Sequence, residues 1–143
     1  MPETIDLIVE ENRKNEPCIT ILSTDMAVDD RHFDELFHIY KHDLMQTNLQ
    51  WIIFGHIGEN HVHPNILART KAEYEEGHRI FEKWARDVHR MGGSISAEHG
   101  AGKIKKRLAQ IMYGADKMRE LAALKRAFDP KGLLGPGNVI SEE

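Results

Sequence analysis

Two apolar runs a few residues apart constrain this chain more than any other feature. Gln50-Trp-Ile-Ile-Phe-Gly-His-Ile57 and His61-Val-His-Pro-Asn-Ile-Leu67 flank Gly58-Glu59-Asn60. The first run is apolar on both faces, as a central strand is, and the turn residues after it predict an antiparallel hairpin. With a tight turn at Glu59-Asn60, Gly58 faces His61, Ile57 faces Val62 and His56 faces His63. Strand side chains alternate, so His56, His61 and His63 share one side of the hairpin. Opposed residues on neighbouring strands sit about 4.5–5.5 Å apart at Cβ. Two imidazoles so placed can share one ion at the roughly 2.0–2.1 Å of a Zn–N bond. The residues alone leave two readings open, a metal-ligating cluster or a set of hydrogen-bonded and surface histidines.

The rest of the chain supplies helices and one more strand. Residues 1–16 are polar with an apolar trio at Ile5, Leu7 and Ile8, a lead-in that forms a short helix or an arm. Cys18 to Met26 is β-branched and partly alternating, which predicts a strand. Asp29 and Asp30 are N-cap residue types ahead of Phe33, Leu36, Phe37, Tyr40 and Leu44, predicting a helix to about Asn48. Thr70 and Glu73 form a capping box for a long helix with Tyr74, Phe81, Trp84, Val88 and Met91 on its buried stripe, ending near Gly92-Gly93. Ser94 onward starts as a strand and becomes a glycine-bearing loop. Two helices follow, Ile104 to Met112 and Asp116 to Phe128, the second with Met118, Leu121, Leu124 and Phe128 on one face and stopped by Asp129-Pro130. The tail after it reads as an extended segment lying on something else. This order predicts an α+β fold, a ferredoxin-like antiparallel sheet with helices on one face plus C-terminal helices and a tail. The division is a lead-in at 1–16 and one domain at 17–143.

Composition narrows the chemistry. At 143 residues, 41% of them hydrophobic, the chain is long enough for one core, and a net charge of -4 with mixed signs gives no field for nucleic acid or anionic membrane. No apolar run is long enough to span a bilayer, and the acidic, mixed start is not a signal sequence, so a cytoplasmic location is expected. Cys18, the single cysteine, cannot form an internal disulfide and reads as a small strand residue.

A two-His catalytic metal typically takes a carboxylate and keeps open positions. Glu98, in Ser94-Ile-Ser-Ala-Glu-His-Gly-Ala-Gly-Lys103, is the candidate. His99 beside it lies at the edge of such a site, free to act as acid or base. Gly100-Ala-Gly-Lys103 is not a phosphate loop, because the Walker positions hold Ala97 and Ile104. The run Lys103, Lys105, Lys106, Arg107 reads as a solvated helix face or a dock for an anionic group. His32, His38, His42, His78 and His89 fall on predicted helices without matching carboxylates.

Three segments carry a resemblance: Gly55-His-Ile-Gly-Glu-Asn-His-Val-His63, Ser96-Ala-Glu-His-Gly-Ala-Gly-Lys103 and Phe128-Asp-Pro-Lys-Gly-Leu-Leu-Gly-Pro-Gly137. In order and spacing they resemble the C-terminal domain of FAD-linked oxidases, the group of the glycolate oxidase flavin subunit, D-lactate dehydrogenase and D-2-hydroxyglutarate dehydrogenase. The resemblance implies that His56, His63 and Glu98 hold a divalent metal, Zn or Mn, that His99 is the catalytic acid–base group, and that Asn65 contacts substrate. It implies FAD as hydride acceptor and a small 2-hydroxy acid, of glycolate or D-lactate type, as substrate. It also implies an FAD-binding domain in the same or another chain and an iron–sulfur electron-transfer subunit as partners, which would hold the enzyme at the membrane periphery. The family's Asp-Gly-Asn is here Glu59-Asn60-His61, so His61 is an extra imidazole, either ligand, substrate contact or bystander. The tail reads Gly135-Pro-Gly-Asn138 where the family commonly has Asn-Pro-Gly-Lys. No dinucleotide fingerprint occurs in these residues, so the chain alone is expected to be inactive. The reading from another class is a stand-alone metal-binding or regulatory module without redox activity.

Overall fold

The computed structural model describes residues 2–140, and side chains from 4 to 140. The elements run α1 (Pro2–Asn15), β1 (Leu22–Ser23), α2 (Phe33–Met45), β2 (Trp51–His56), a 3-10 turn (Ile57–Glu59), β3 (His61–Ile66), α3 (Lys71–Arg90) and α4 (Lys106–Phe128). The sheet order is β1-β3-β2 with both pairings antiparallel. Strands β1 and β2 are therefore parallel to each other, joined through α2 and separated by β3, which is a split βαβ arrangement. Beyond β1 a bridge between Ala27 and Ser94 stands where a fourth strand would lie. The α+β sheet expected from the sequence is present.

One face of the sheet and two helices make the main core. Leu22, Val62 and Ile66 pack with Leu36, Tyr40 and Leu44 of α2 and with Phe81, Trp84, Ala85 and Val88 of α3. Each large side chain so buried contributes about 1.5–3 kcal/mol by leaving water. Trp84 is fully buried, lies edge-on to Tyr40 with ring centroids 4.6 Å apart, and donates its indole N–H to Asp43 at 2.8 Å. The capping box of α3 is half reciprocal. Thr70 Oγ1 accepts from Glu73 N at 3.2 Å, but the Glu73 carboxylate accepts from Arg69 N at 2.8 Å.

The opposite face carries a smaller core at one end. Ile5 and Val9 of α1 are buried with Ile19 and Leu67, and Ile52 and Phe54 of β2 pack against them. The lead-in segment is thus a helix seated on the second face, with Asn12 Nδ2 bonded to the Ala68 carbonyl at 2.9 Å.

Several boundaries differ from expectation for local reasons. The strand expected over Cys18–Met26 contracts to Leu22–Ser23, because Ile19 turns away to join α1 and Pro64, opposite Thr24, has no N–H to extend the ladder. Cys18 lies outside it and is exposed. Helix α2 stops at Met45, where Thr47 Oγ1 bonds the Leu44 carbonyl at 2.8 Å. Neither Asp29 nor Asp30 caps it; the cap position is His32, and the Asp29 carboxylate is occupied by the Arg31 backbone and guanidinium. The two expected C-terminal helices form one run broken at Gly114, where φ is 71° and ψ 169°. Their stripe is not buried among the described residues. Phe128 is 80% exposed, and Leu124, Leu133 and Leu134 are exposed as well. The tail is tied back at Asp129, whose carboxylate accepts from Lys125 Nζ at 2.6 Å and from Leu133 and Leu134 N–H at 2.9 Å each. The Lys125 bond, with those amides, holds the Asp129 carboxyl down at about 2.

Candidate active site

The hairpin forms in a register two residues away from the tight turn. Phe54 faces His63, Gly55 faces Val62 and His56 faces His61, with Ile57–Glu59 and Asn60 making the turn. The expected pairings Gly58–His61, Ile57–Val62 and His56–His63 do not occur, because the chain uses a 3-10 turn that Asn60 closes in the left-handed region at φ 53°. A slip of two residues preserves the side each residue faces. His56, His61 and His63 therefore still share one side, the side opposite α2 and α3. Gly55 makes the close pairing work: at φ 147° a Cβ there would lie 2.6 Å from the His61 carbonyl.

The loop after α3 brings the fourth and fifth groups. One donor atom from each of His56, His63 and Glu98 lies within 4.8 Å of the others. Donors of a tetrahedral site with bonds near 2.1 Å are roughly 3.4 Å apart. The remaining closure is within the reach of side-chain rotation at exposed His56 and Glu98. Glu98 Oε1 stands 3.6 Å from His56 Nε2 and 3.3 Å from His61 Nδ1. His99 Nε2 is 3.7 Å from Glu98 Oε2, and its ring centroid is 5.7 Å from that of His63.

A proline sets the tautomer of His63. In an antiparallel hydrogen-bonded pair the two residues exchange both bonds. Thr24 N donates to the Pro64 carbonyl at 3.1 Å, but Pro64 has no N–H to return. The Thr24 carbonyl instead accepts from His63 Nδ1 at 2.8 Å. The proton is thereby fixed on Nδ1 and the Nε2 lone pair faces the cluster, the arrangement usual for metal-binding histidine. Burial, the largest influence, lowers the His63 pKa below its ordinary value, which favours the neutral ring a metal requires.

A second set, Asp25, His63 and His99, also has donors within 4.8 Å. It competes for the same His63 Nε2. Asp25 is already engaged: its carboxylate accepts from Glu98 N at 3.0 Å and His99 N at 2.9 Å, with Lys105 Nζ 3.4 Å away. Burial is the strongest single influence on Asp25 and opposes its charge, yet those amides and Lys105 together leave its pKa below the ordinary value. The donor set with free lone pairs is therefore His56, His63 and Glu98.

The remaining residues fall in different places. His61 is buried, its Nε2 3.3 Å from Asp25 Oδ1 without forming a hydrogen bond. Asn65, on the same side of β3, is buried with Nδ2 donated to the His63 carbonyl at 2.8 Å. Lys105 leaves the expected solvated face and turns inward, and Arg107 pairs with Glu82 at 2.6 Å. His32 and His42 come within 3.5 Å of Glu35 and Asp43, and His38 bonds the Asp34 carbonyl. None of these three lies in either group of potential ligands. Sequence reasoning missed Asp25 as a site residue; the available signal was a carboxylate inside a strand-like apolar run. A cleft of about 630 Å³ adjoins His99, lined in part by Leu22, Thr24, Phe81 and Leu108.

The chain is similar in sequence to known proteins. The chain is 25% identical over 136 residues to the mitochondrial D-lactate dehydrogenase [cytochrome] 1 of Saccharomyces cerevisiae, covering 95% of this chain and 23% of the yeast protein. It is 36% identical over 92 residues to the D-2-hydroxyglutarate dehydrogenase of Stutzerimonas stutzeri, covering 62% of this chain and 20% of that protein. To the glycolate oxidase subunit GlcD of Bacillus subtilis it is 32% identical over 92 residues, covering 63% and 20%. The chain thus spans about a fifth of the length of these curated relatives. Residues 8–139, nearly all of the sequence and a span that includes the cluster, match the family of FAD linked oxidases, C-terminal domain, and the chain belongs to that family.

Proposed function

We propose that this chain supplies the substrate- and metal-binding part of an FAD-dependent oxidoreductase acting on a 2-hydroxy acid of glycolate or D-lactate type. The carrying observation is the gathering of one donor atom each from His56, His63 and Glu98 within 4.8 Å of one another, with the His63 proton held on the far nitrogen by Thr24. Two histidines and a carboxylate with open positions suit Zn or Mn. When bound, the cation would polarise the substrate's carboxylate and hydroxyl and the flavin would accept hydride from the α-carbon. His56, His63 and Glu98 hold and orient. His99, at the open edge, takes the hydroxyl proton on its Nε2 as the alcohol becomes a 2-oxo acid. Asn65 and His61 are the polar groups beside the ligands against which substrate is placed. The FAD-binding domain lies outside these residues, in the same chain or another, and an iron–sulfur subunit at the membrane periphery would take the electrons on. No helix among the described residues is long and apolar enough to cross a membrane.

Metal analysis of His56→Ala, His63→Ala and Glu98→Gln tests the ligand set. Each variant loses bound ion, and unchanged content in all three would remove the site. In enzyme reconstituted with a flavin domain, His99→Ala keeps the ion and turns over roughly 10²–10⁴-fold more slowly. Ion loss in that variant would place His99 among the ligands. The chain alone neither retains FAD nor turns over, and stoichiometric flavin on it would sink this division of labour. Ion binding without activity on any 2-hydroxy acid after reconstitution would favour the stand-alone metal-binding module.

A further inference from the structure

We propose that Asp25 is a positioning residue of the site, the buried carboxylate from which the segment carrying Glu98 and His99 is aimed at the hairpin histidines. This inference rests on the metal-site reading above and adds a residue to it. Asp25 is buried, and four donors of the Ser96–His99 segment end on it: Ser96 Oγ at 3.3 Å, Ala97 N at 2.9 Å, Glu98 N at 3.0 Å and His99 N at 2.9 Å. The first, third and fourth reach its carboxylate and the second its carbonyl. Because two consecutive backbone amides are fixed on one carboxylate, the Cα–Cβ directions of Glu98 and His99 are fixed with them. The same carboxylate stands 3.3 Å from His61 Nε2, whose Nδ1 is 3.3 Å from Glu98 Oε1. Asp25 thus holds Glu98 through its backbone, with the His61 ring lying between the two carboxylates. Lys105 Nζ at 3.4 Å supplies the counter-charge. The side-chain type is demanded by this geometry. An asparagine has one acceptor oxygen and would turn its amide N–H groups toward donors, and a glutamate would carry the carboxylate one methylene too far.

The test uses Asp25→Asn and Asp25→Glu, with Asp43→Asn as control, since Asp43 is a partly buried carboxylate bonded to Trp84 and Lys83 away from the site. Zn²⁺ affinity is measured by competition titration, and amide hydrogen exchange of Glu98 and His99 in ion-free protein, both against global stability. Either Asp25 variant is expected to weaken Zn²⁺ by 10–100-fold, the usual effect of losing a residue that orients ligands. Exchange at Glu98 and His99 should quicken well beyond what the change in global stability accounts for. Asp43→Asn should lower global stability and leave affinity and the excess exchange unmoved. Should the Asp25 variants not fold, Ser96→Ala, which removes one bond to the carboxylate, is expected to show a smaller excess at the same two amides. Exchange that only tracks global unfolding, or affinity within twofold of the original, overturns the proposal. If the unaltered chain binds no Zn²⁺ but exchange responds as expected, the metal-site reading fails and the positioning role stands.

Discussion

Strand β3 is buried along its whole length, yet its two faces are held by different forces. Val62, Pro64 and Ile66 meet α2 and α3 in an apolar core; His61, His63 and Asn65 meet Asp25, the Glu98 loop and each other. On the first face burial itself stabilises, and no contact needs a particular direction. On the second, burial costs free energy unless each polar atom finds a partner, and one of them, His61 Nε2, has none. The difference teaches that the apolar face is held by burial alone, whereas the polar face is held only as far as its directed partners reach.

Substitutions can break that comparison, and the largest effect should come from the apolar side. Trp84→Ala is expected to destabilise by about 3–5 kcal/mol in denaturant unfolding, through the lost contacts, the cavity and the lost bond to Asp43. Ile66→Val, one methylene smaller on the same side, should cost about 0.5–1.5 kcal/mol. His61→Leu should behave oppositely. It replaces a buried imidazole whose Nε2 has no hydrogen-bond partner by an apolar group of similar volume, so the relief of that unpaired atom should offset the lost contacts and stability should move by less than about 1 kcal/mol. A large loss of stability in His61→Leu would show that the polar face also carries the fold. The smallest effect is on pH dependence. Burial is the leading influence on Asp43 and opposes its charge, but the Lys83 and Trp84 bonds outweigh it and its folded pKa is lowered. Its contribution is therefore present above the unfolded value of about 3.9 and is lost as pH falls through the lower folded value. Asp43→Asn should flatten stability against pH over that acidic window and nowhere else.

What was legible in the sequence follows from the same contrast. Helix α3 is marked by a capping box and a 3–4-residue stripe, both local signals, and it forms where they place it. The facing of the three hairpin histidines survived an error of two residues in register, because alternation has period two. Glu98 could be matched to them from residue type and neighbouring small residues. Asp25 carried one local signal, a carboxylate inside a strand-like apolar run, but the bonds that define its role join it to residues 71–74 positions away, and Lys105 sits in a basic run that reads as a solvated face. The C-terminal stripe at Met118, Leu121, Leu124 and Phe128 has the right period for burial, but periodicity does not say what covers it, and among the described residues the outer part of that face is uncovered.

Pro64 and Asp25 together have a kinetic consequence. The cluster depends on Thr24 meeting His63 across 39 residues and on Asp25 meeting the Glu98 amide across 73. Contacts of such separation form late, after loop closure has been overcome. A partly folded chain can therefore hold the local hairpin of His56, His61 and His63 without the Thr24 contact or the aimed Glu98–His99 segment. If the site holds an ion as proposed above, full affinity should appear only once those long-range contacts have formed, and its onset can serve as a clock for that step.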